Sequence, residues 1–170
     1  MHSHTKYRKA GVNVSIGTDF APQDMLNQMR VASYVTKLAD WDCYSGSSRE
    51  IFNSATLGGA KAIGRSDLGR IAPGALADVA IVNMESLNTV PVRDPIKNLV
   101  NHASRSDVKT VIVAGKIVVK DGEVLNVDEA ELVKKVQTIS ERRWNSVAKN
   151  DLEHRTIDHF SPQSFKPWEE

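Results

Sequence analysis

Residues 11–22, GVNVSIGTDFAP, decide the fold of this chain. Val12, Val14 and Ile16 alternate with polar residues, which is the period of a β-strand with one buried face. The run ends at a glycine, and Asp19 follows directly after Thr18. A carboxylate just beyond the C-terminal end of a strand is where α/β barrels hold their catalytic groups. Aspartate also caps helices and shapes turns, so this stretch leaves both interpretations open.

Length and composition limit the class of protein. A chain of 170 residues is long enough for one domain with a real core, or for two small domains. It is shorter than the roughly 250 residues of a complete eight-fold α/β barrel. The net charge of +1 gives no indication of a nucleic-acid partner. No apolar run approaches the roughly 20 residues that span a bilayer, so we expect no membrane partner.

The first residues and the cysteine content indicate the compartment. MHSHTKYRKAG carries positive charge but no apolar segment after it, so we do not expect a signal peptide. Cys43 is the only cysteine, which excludes an intramolecular disulfide and favours a cytoplasmic location. No local signature marks Cys43 as a nucleophile, and we interpret it as a buried or incidental thiol.

Three helices are predicted in the first part of the chain. The first ends at Gly11, and the second runs from about Gln23 to Ala39, with Pro22 near its start. Ser47 and Glu50 have the spacing of a capping box, so the third helix begins just after Ser47. Small residues crowd the far end of this third helix. They either let two elements approach closely or fray the helix, since each interior glycine costs about 1 kcal/mol relative to alanine.

The pattern changes from helix to strand near residue 67. Residues 68–83 predict a strand, a turn at Pro73-Gly74 and a second strand. Residues 86–104 are irregular, with two prolines. Two strands follow, joined near Ala114-Gly115, and the next turn falls at Asp121-Gly122.

A long helix is predicted near the end of the chain. Asp128 and Glu131 have capping-box spacing, and apolar residues then repeat at helical spacing to about Lys149. Residues 151–170 are polar and are expected to lie on a surface or on a partner chain. A lone strand with its helix leaves backbone hydrogen bonds unpaired, so we expect the chain to be part of something larger.

Four segments, in this order and spacing, resemble the C-terminal part of the amidohydrolase superfamily. The similarity extends over about residues 9–149, and the branch it indicates is the group of cytosine deaminases, triazine hydrolases and adenosylhomocysteine-type deaminases. The segments are GVNVSIGTD at 11–19, NSATLGGAKAIG at 53–64, LGRIAPGALADVAIVN at 68–83 and VKTVIVAGKIVVKDG at 108–122.

The resemblance implies an α/β fold that is incomplete relative to the family. It would comprise the last strand-helix unit or units of a TIM-type barrel, part of the flanking β-sandwich and a C-terminal helix. The implied domains are a barrel piece at residues 1–65, a β-sandwich portion at 66–127, the C-terminal helix at 128–150 and a polar tail at 151–170.

The resemblance also implies roles for individual residues. Asp19 matches the aspartate that ends the eighth barrel strand, which contacts the metal and accepts a proton from the attacking water. Thr18 and Gln23 would line the substrate site. The metal would be zinc, with iron as the alternative, and only in the complete enzyme. Asp78 matches a position in the sandwich, where we interpret it as a structural carboxylate.

The histidines do not fit the family's metal ligands. The family's H-x-H pair and two later histidines precede the aspartate by hundreds of residues. His2 and His4 spell H-S-H, but they lie directly before the eighth strand, and we expect them to be solvated rather than ligands. His102 is expected in packing or on the surface, and His154 and His159 carry no spacing signal.

Three hypotheses remain for function. The first is a fragment of a metal-dependent hydrolase that cleaves carbon–nitrogen or carbon–halogen bonds of a cyclic or heteroaromatic small molecule. It would be inactive alone, because a catalytic zinc needs three protein ligands, and a complementary chain would complete it. The second is a non-catalytic, self-associating binding or assembly module. The third is an enzyme that combines His2, His4 and Asp19 across a dimer interface.

Overall fold

The computed structural model describes residues 3–19 and 22–165, which form two compact units, Met1–Leu125 and Asn126–Glu170. In the first unit, five helices, one short 3-10 turn and four strands follow one another. They are α1 (His4–Lys9), α2 (Met25–Asp40), α3 (Ser48–Ala55), α4 (Leu57–Ala62), β1 (Val79–Val82), α5 (Pro95–Asn101), the 3-10 turn (Arg105–Asp107), β2 (Val108–Val113), β3 (Lys116–Lys120) and β4 (Glu123–Val124). The second unit contains α6 (Glu129–Asn145), α7 (Val147–Asn150) and α8 (Ile157–Phe160).

Helix α2 begins two residues later than its predicted start at Gln23. The Asp24 carboxylate accepts a hydrogen bond from the backbone N–H of Asn27 at 3.0 Å. An aspartate side chain satisfies one of the free N–H groups of the first turn, so Asp24 fixes the start. The helix ends at Asp40, and the next residue, Trp41, has a left-handed backbone with φ 51°.

Helix α3 begins as predicted, with a reciprocal capping box. The Ser47 hydroxyl accepts from the N–H of Glu50, and the Glu50 carboxylate accepts from the N–H of Ser47 at 3.2 Å. The helix breaks at Thr56, where φ is −113° and ψ is −84°, and α4 continues in a new direction. The small-residue run therefore forms a separate helix rather than the frayed end of α3.

Helix α5 lies within residues 86–104, which the sequence predicts to be irregular, and that prediction was wrong. The Asp94 carboxylate accepts from the N–H groups of Ile96 and Lys97. Pro95 occupies the first position of the helix, where a missing N–H removes no hydrogen bond and the fixed φ favours helix. The second proline therefore starts a helix here instead of interrupting one.

The strands form one antiparallel sheet in the order β1-β2-β3-β4. The predicted turns at Ala114-Gly115 and Asp121-Gly122 are confirmed, and all four of these residues have positive φ. Val111 of β2 faces Ala80 of β1 on one side and Val119 of β3 on the other.

The predicted strand at the start of residues 68–83 does not form. Gly69 has φ 76°, which turns the backbone out of the extended conformation. The N–H of Leu76 donates to the carbonyl of Asp67 at 2.8 Å and closes a loop instead. Of the two predicted strands, only the second is present, as β1.

Residues 14–18 keep the burial pattern of a strand without being paired as one, whereas Val12 is exposed. Val14, Ile16 and Thr18 are half-buried, and the residues between them are exposed. Within residues 3–19 and 22–165, this segment lies in no β-ladder, so the strand predicted at 12–16 is not confirmed. We call residues 12–18 the site segment.

The hydrophobic core is small and lies between three helices. Met29 of α2, Ile51 of α3 and Val100 of α5 form its centre, and Ile51 and Val100 are fully buried. The other face of α2 is open, and Leu38 is 69 % exposed. Of the large apolar side chains among the described residues, only a minority is therefore buried within this chain.

The second unit is built around α6. Asp128 accepts from the N–H of Glu131 at 2.9 Å and caps the helix, as the spacing predicts. The helix ends before Ser146, and α7 follows, so the single helix predicted to Lys149 is two helices. No residue of α6 is buried. In the described part of the chain, no helix is both long and apolar enough to cross a membrane.

Candidate active site

Asp19 lies at the end of the site segment, with an exposed side chain. Its φ is 56°, in the left-handed region, which aspartate enters more readily than most residues. The backbone therefore turns sharply at Asp19, directly after the extended residues. The carboxylate stands at the tip of an extended segment, as the sequence indicates.

The two predicted substrate-lining residues flank Asp19 in the chain. Thr18 is half-buried and precedes it directly, whereas Gln23 is exposed and precedes the cap of α2. Residues 20 and 21, which lie between Asp19 and Gln23 in the chain, are outside the described residues. The roles of Thr18 and Gln23 stay predictions.

Asp19 belongs to no complete metal site within the part of the chain that the structure describes. Within residues 3–19 and 22–165, no three histidine, cysteine, aspartate or glutamate side chains are placed to hold a metal ion. A carboxylate oxygen is a suitable zinc ligand, but a catalytic zinc site takes three protein ligands. The chemistry of Asp19 therefore suits a zinc ligand, and its role as one stays a prediction.

His4 is half-buried and hydrogen-bonded, so the prediction that it is solvated was wrong. Its Nε2 lies 2.8 Å from the hydroxyl of Ser54, which is fully buried in α3. Arg8 also donates to that hydroxyl at 3.4 Å. His4 therefore ties α1 to α3. His2 lies outside the described residues.

Burial lowers the pKa of His4 below the usual value of 6.5, and the positive charge of Arg8 lowers it further. The negative charge of Glu50 opposes them with a smaller effect. Because the folded pKa lies below the unfolded pKa, the unfolded chain binds the proton more tightly. The contribution of His4 to the free energy of unfolding is therefore fully present above pH 6.5. It is lost as the pH falls from 6.5 toward the pKa of His4 in the folded chain.

We expect His4→Gln to flatten this part of the pH profile. The urea midpoint of the unchanged chain should fall as the pH is lowered from 7 to 5, and the fall should be smaller in H4Q. His159→Gln is the control, since His159 is exposed. Equal slopes in H4Q and the unchanged chain would show that His4 does not couple folding to protonation.

The remaining histidines and Asp78 lie away from the site segment in the chain and act locally. His102 is exposed after α5, and His159 packs its ring edge against Phe160 at 5.2 Å. His154 is exposed, with Nδ1 3.1 Å from the carbonyl of Ala148. Asp78 accepts from the N–H of Ala114 at 2.7 Å, which joins β1 to the turn between β2 and β3 and confirms its structural role.

An open cleft of about 320 Å³ lies beside the site segment. Residues 14–17 form one wall, α2 forms the other around Val35, and Ser3 and His4 also line the cleft. Among these lining residues, all of them described, His4 is the only ionisable one. The cleft therefore lacks the set of convergent charged groups that catalysis of a hydrolysis would need.

Two residues important to the geometry were not predicted as site residues. Ser54 and Gly58, both buried, contact the site segment from the junction of α3 and α4. The run of small residues around Gly58 was the sequence signal for this contact. It predicts that another element approaches closely, but it does not indicate which one.

Comparison with known proteins identifies the family. The amidohydrolase family model matches residues 4–118. The chain therefore belongs to the amidohydrolase family, which confirms the resemblance seen in the sequence.

Its relatives of known name include nucleoside deaminases. It is 41% identical over 133 residues to the 5-methylthioadenosine/S-adenosylhomocysteine deaminase of Pyrococcus abyssi, a match that covers 76% of this chain and 31% of the relative. It is 42% identical over 123 residues to the 5'-deoxyadenosine deaminase of Methanothermobacter thermautotrophicus, covering 70% of this chain and 29% of that protein. The chain spans about a third of the length of these relatives.

Solved structures give the same result. An adenosine deaminase from Xanthomonas campestris with bound zinc superposes with a TM-score of 0.77 and 31% identity, over 81% of this chain and 33% of that one. An atrazine chlorohydrolase from Arthrobacter aurescens, complexed with zinc, gives a TM-score of 0.70 and 27% identity over 79% and 31%. The α/β architecture with its four-stranded sheet thus corresponds to part of an amidohydrolase.

Proposed function

We propose that this chain supplies part of a metal-dependent hydrolase that removes the amino group from an adenosine-type nucleoside. Its first part would be the last strand-helix unit or units of the TIM-type barrel at residues 1–65. Residues 66–127 would belong to the flanking β-sandwich, 128–150 would be the C-terminal helix, and 151–170 a polar tail. The observation that supports this most directly is Asp19 directly after the site segment, within residues 4–118, which match the amidohydrolase family model.

The proposed chemistry assigns two tasks to Asp19. Its carboxylate is one ligand of a divalent metal, which when bound supplies the Lewis acidity that activates water near neutral pH. Asp19 also accepts the proton that the attacking water loses at the purine carbon. The water oxygen would replace the amino group, which would take up the proton held by Asp19 and leave as ammonia. Thr18 and Gln23 would border the substrate beside Asp19.

The similarities favour an amino leaving group and zinc. Among the solved structures, identity is 31% to the adenosine deaminase and 27% to the atrazine chlorohydrolase. The relatives from Pyrococcus abyssi and Methanothermobacter thermautotrophicus both carry deaminase names. Both solved structures described above contain zinc, so zinc is proposed ahead of iron. The proposed partner is a small-molecule substrate in the cytoplasm, with no nucleic-acid or membrane partner.

The chain alone is proposed to be inactive. Asp19 is a single ligand, and the exposed apolar face of α2, which includes Val31, Val35 and Leu38, needs a cover. The remainder of the barrel, from a complementary chain, would provide both. The same exposed face supports the alternative of a non-catalytic module that associates with itself as a homo-oligomer.

A hybrid enzyme tests the proposal. We would join the part of the Pyrococcus abyssi deaminase that precedes its matched third to residues 4–170 of this chain. The hybrid should convert 5'-deoxyadenosine to its deaminated product, lose activity to a chelator and regain it with zinc. Each part alone should show no turnover.

Two results would contradict the proposal. A folded hybrid that holds zinc but deaminates no adenosine-type nucleoside would reject the substrate class. A folded hybrid that holds no zinc would reject Asp19 as a ligand. If the full chain alone forms a tight dimer by size-exclusion chromatography and does not associate with the Pyrococcus abyssi part, the homo-oligomeric module would be supported.

A further inference from the structure

We propose that the junction of α3 and α4 holds Asp19 in position and that Gly58 is a positioning residue for the site. We call residues 54–58 the elbow. The inference rests on the proposed function for the role of Asp19, but its structural part concerns the site segment alone. The elbow takes the place of a neighbouring strand as the support of that segment.

Two hydrogen bonds join the elbow to the site segment. The N–H of Ile16 donates to the carbonyl of Ser54 at 3.3 Å. The side-chain amide of Asn13 donates to the carbonyl of Gly58 at 3.0 Å. The two contacts fix both the register and the distance of the extended residues against α3 and α4.

Gly58 sets how closely the two elements approach. A Cβ atom at this position would lie 2.5 Å from the carbonyl oxygen of Val14 and 3.3 Å from that of Asn53. Neither is the end of a flexible side chain, so backbone would have to move. The neighbouring Gly59 has no such contact within 4 Å, although it lies in the same helix.

The elbow is also held by contacts outside the site segment. Gly69 packs against Thr56, where a Cβ would lie 2.7 Å from the Thr56 carbonyl oxygen. The Thr56 hydroxyl donates to the carbonyl of Phe52 at 2.8 Å, which holds the break to α3. These contacts resist movement of the elbow, so we expect a side chain at Gly58 to displace Val14.

A displacement at Val14 reaches Asp19 through extended backbone. An extended segment transmits a shift along its length because it has no slack between successive residues. A misplacement of about 1 Å in a catalytic group costs about 100-fold in rate. Gly58 thus acts on the proposed reaction through Asp19, without touching substrate.

The first test compares Gly58→Ala with Gly59→Ala in the full chain. The amide resonances of Ile16, Gly17 and Asp19 should shift in G58A and stay in place in G59A. Asn13→Ala removes the second contact from the exposed side of the segment, and it should shift the same resonances if G58A does not fold. If neither G58A nor N13A shifts these resonances more than G59A, the elbow does not support the segment.

The second test separates positioning from mere stability. In the hybrid enzyme, G58A should lower kcat about 100-fold and leave KM for 5'-deoxyadenosine unchanged, whereas G59A should keep both values. Equal kcat in G58A and G59A would overturn the positioning role. If the unchanged hybrid has no activity, the proposed function fails, and the resonance comparison alone decides whether the elbow holds the segment.

Discussion

Asp19→Asn in the hybrid enzyme is expected to lower kcat for 5'-deoxyadenosine by about 1,000-fold or more. Loss of a general base alone costs about 100-fold to 10,000-fold, and asparagine is also a poorer metal ligand because it carries no charge. The rate of ammonia release measures the effect, and the zinc content of the purified variant separates the lost ligand from the lost base.

Asp24→Asn provides the matched control. Asp24 lies in the same stretch of chain, and its carboxylate caps α2. Asparagine caps a helix about as well as aspartate, so D24N should keep both fold and activity. If D19N retains the activity of D24N, Asp19 is a turn residue and the catalytic interpretation is wrong.

Ile51→Ala is expected to destabilise the full chain by about 3 kcal/mol, the middle of the range for truncating a buried isoleucine. Ile51 is fully buried and is one of the three residues at the centre of the only core cluster found among the described residues. That core is small, and a domain has only about 5–15 kcal/mol of stability in total. Urea unfolding followed by circular dichroism gives the change in free energy.

Ile71→Ala removes the same atoms from an exposed position. Ile71 is 86 % exposed, so I71A should change the free energy of unfolding by less than about 0.5 kcal/mol. Similar losses in I51A and I71A would mean that α2, α3 and α5 do not pack around Ile51 in solution.

Features encoded within a few residues could be predicted from the sequence. The capping box of Ser47 and Glu50 and the two glycine turns of the sheet depend on hydrogen bonds and φ angles of adjacent residues. The same local logic applies to α5, where Asp94 and Pro95 form a capping signal. Proline usually breaks a helix, but at the first helical position, where Pro95 lies, it favours one.

Features that depend on distant residues could not be predicted. The predicted alternation gives the correct burial at Val14 and Ile16 but not at Val12, which is exposed. A strand also needs a paired neighbour, whereas this segment is contacted by Ser54 and Gly58. A metal site likewise needs ligands from several segments. The sequence indicates the position of Asp19, but no group of three ligating side chains is found among the described residues.

The hydrogen bond from Ile16 to Ser54 links the position of Asp19 to the fraction of molecules in which α3 is folded. The two residues are separated by α2 and its following loop, so the site segment is held only in molecules in which α3 is folded. Transient local opening of α3 would release the segment long before the whole chain unfolds. Amide hydrogen exchange at Ile16 would then follow the opening equilibrium of α3. At temperatures below the melting temperature, warming would already reduce the fraction of molecules in which the site segment is held. Core substitutions remote from Asp19 would reduce the same fraction and thereby lower kcat.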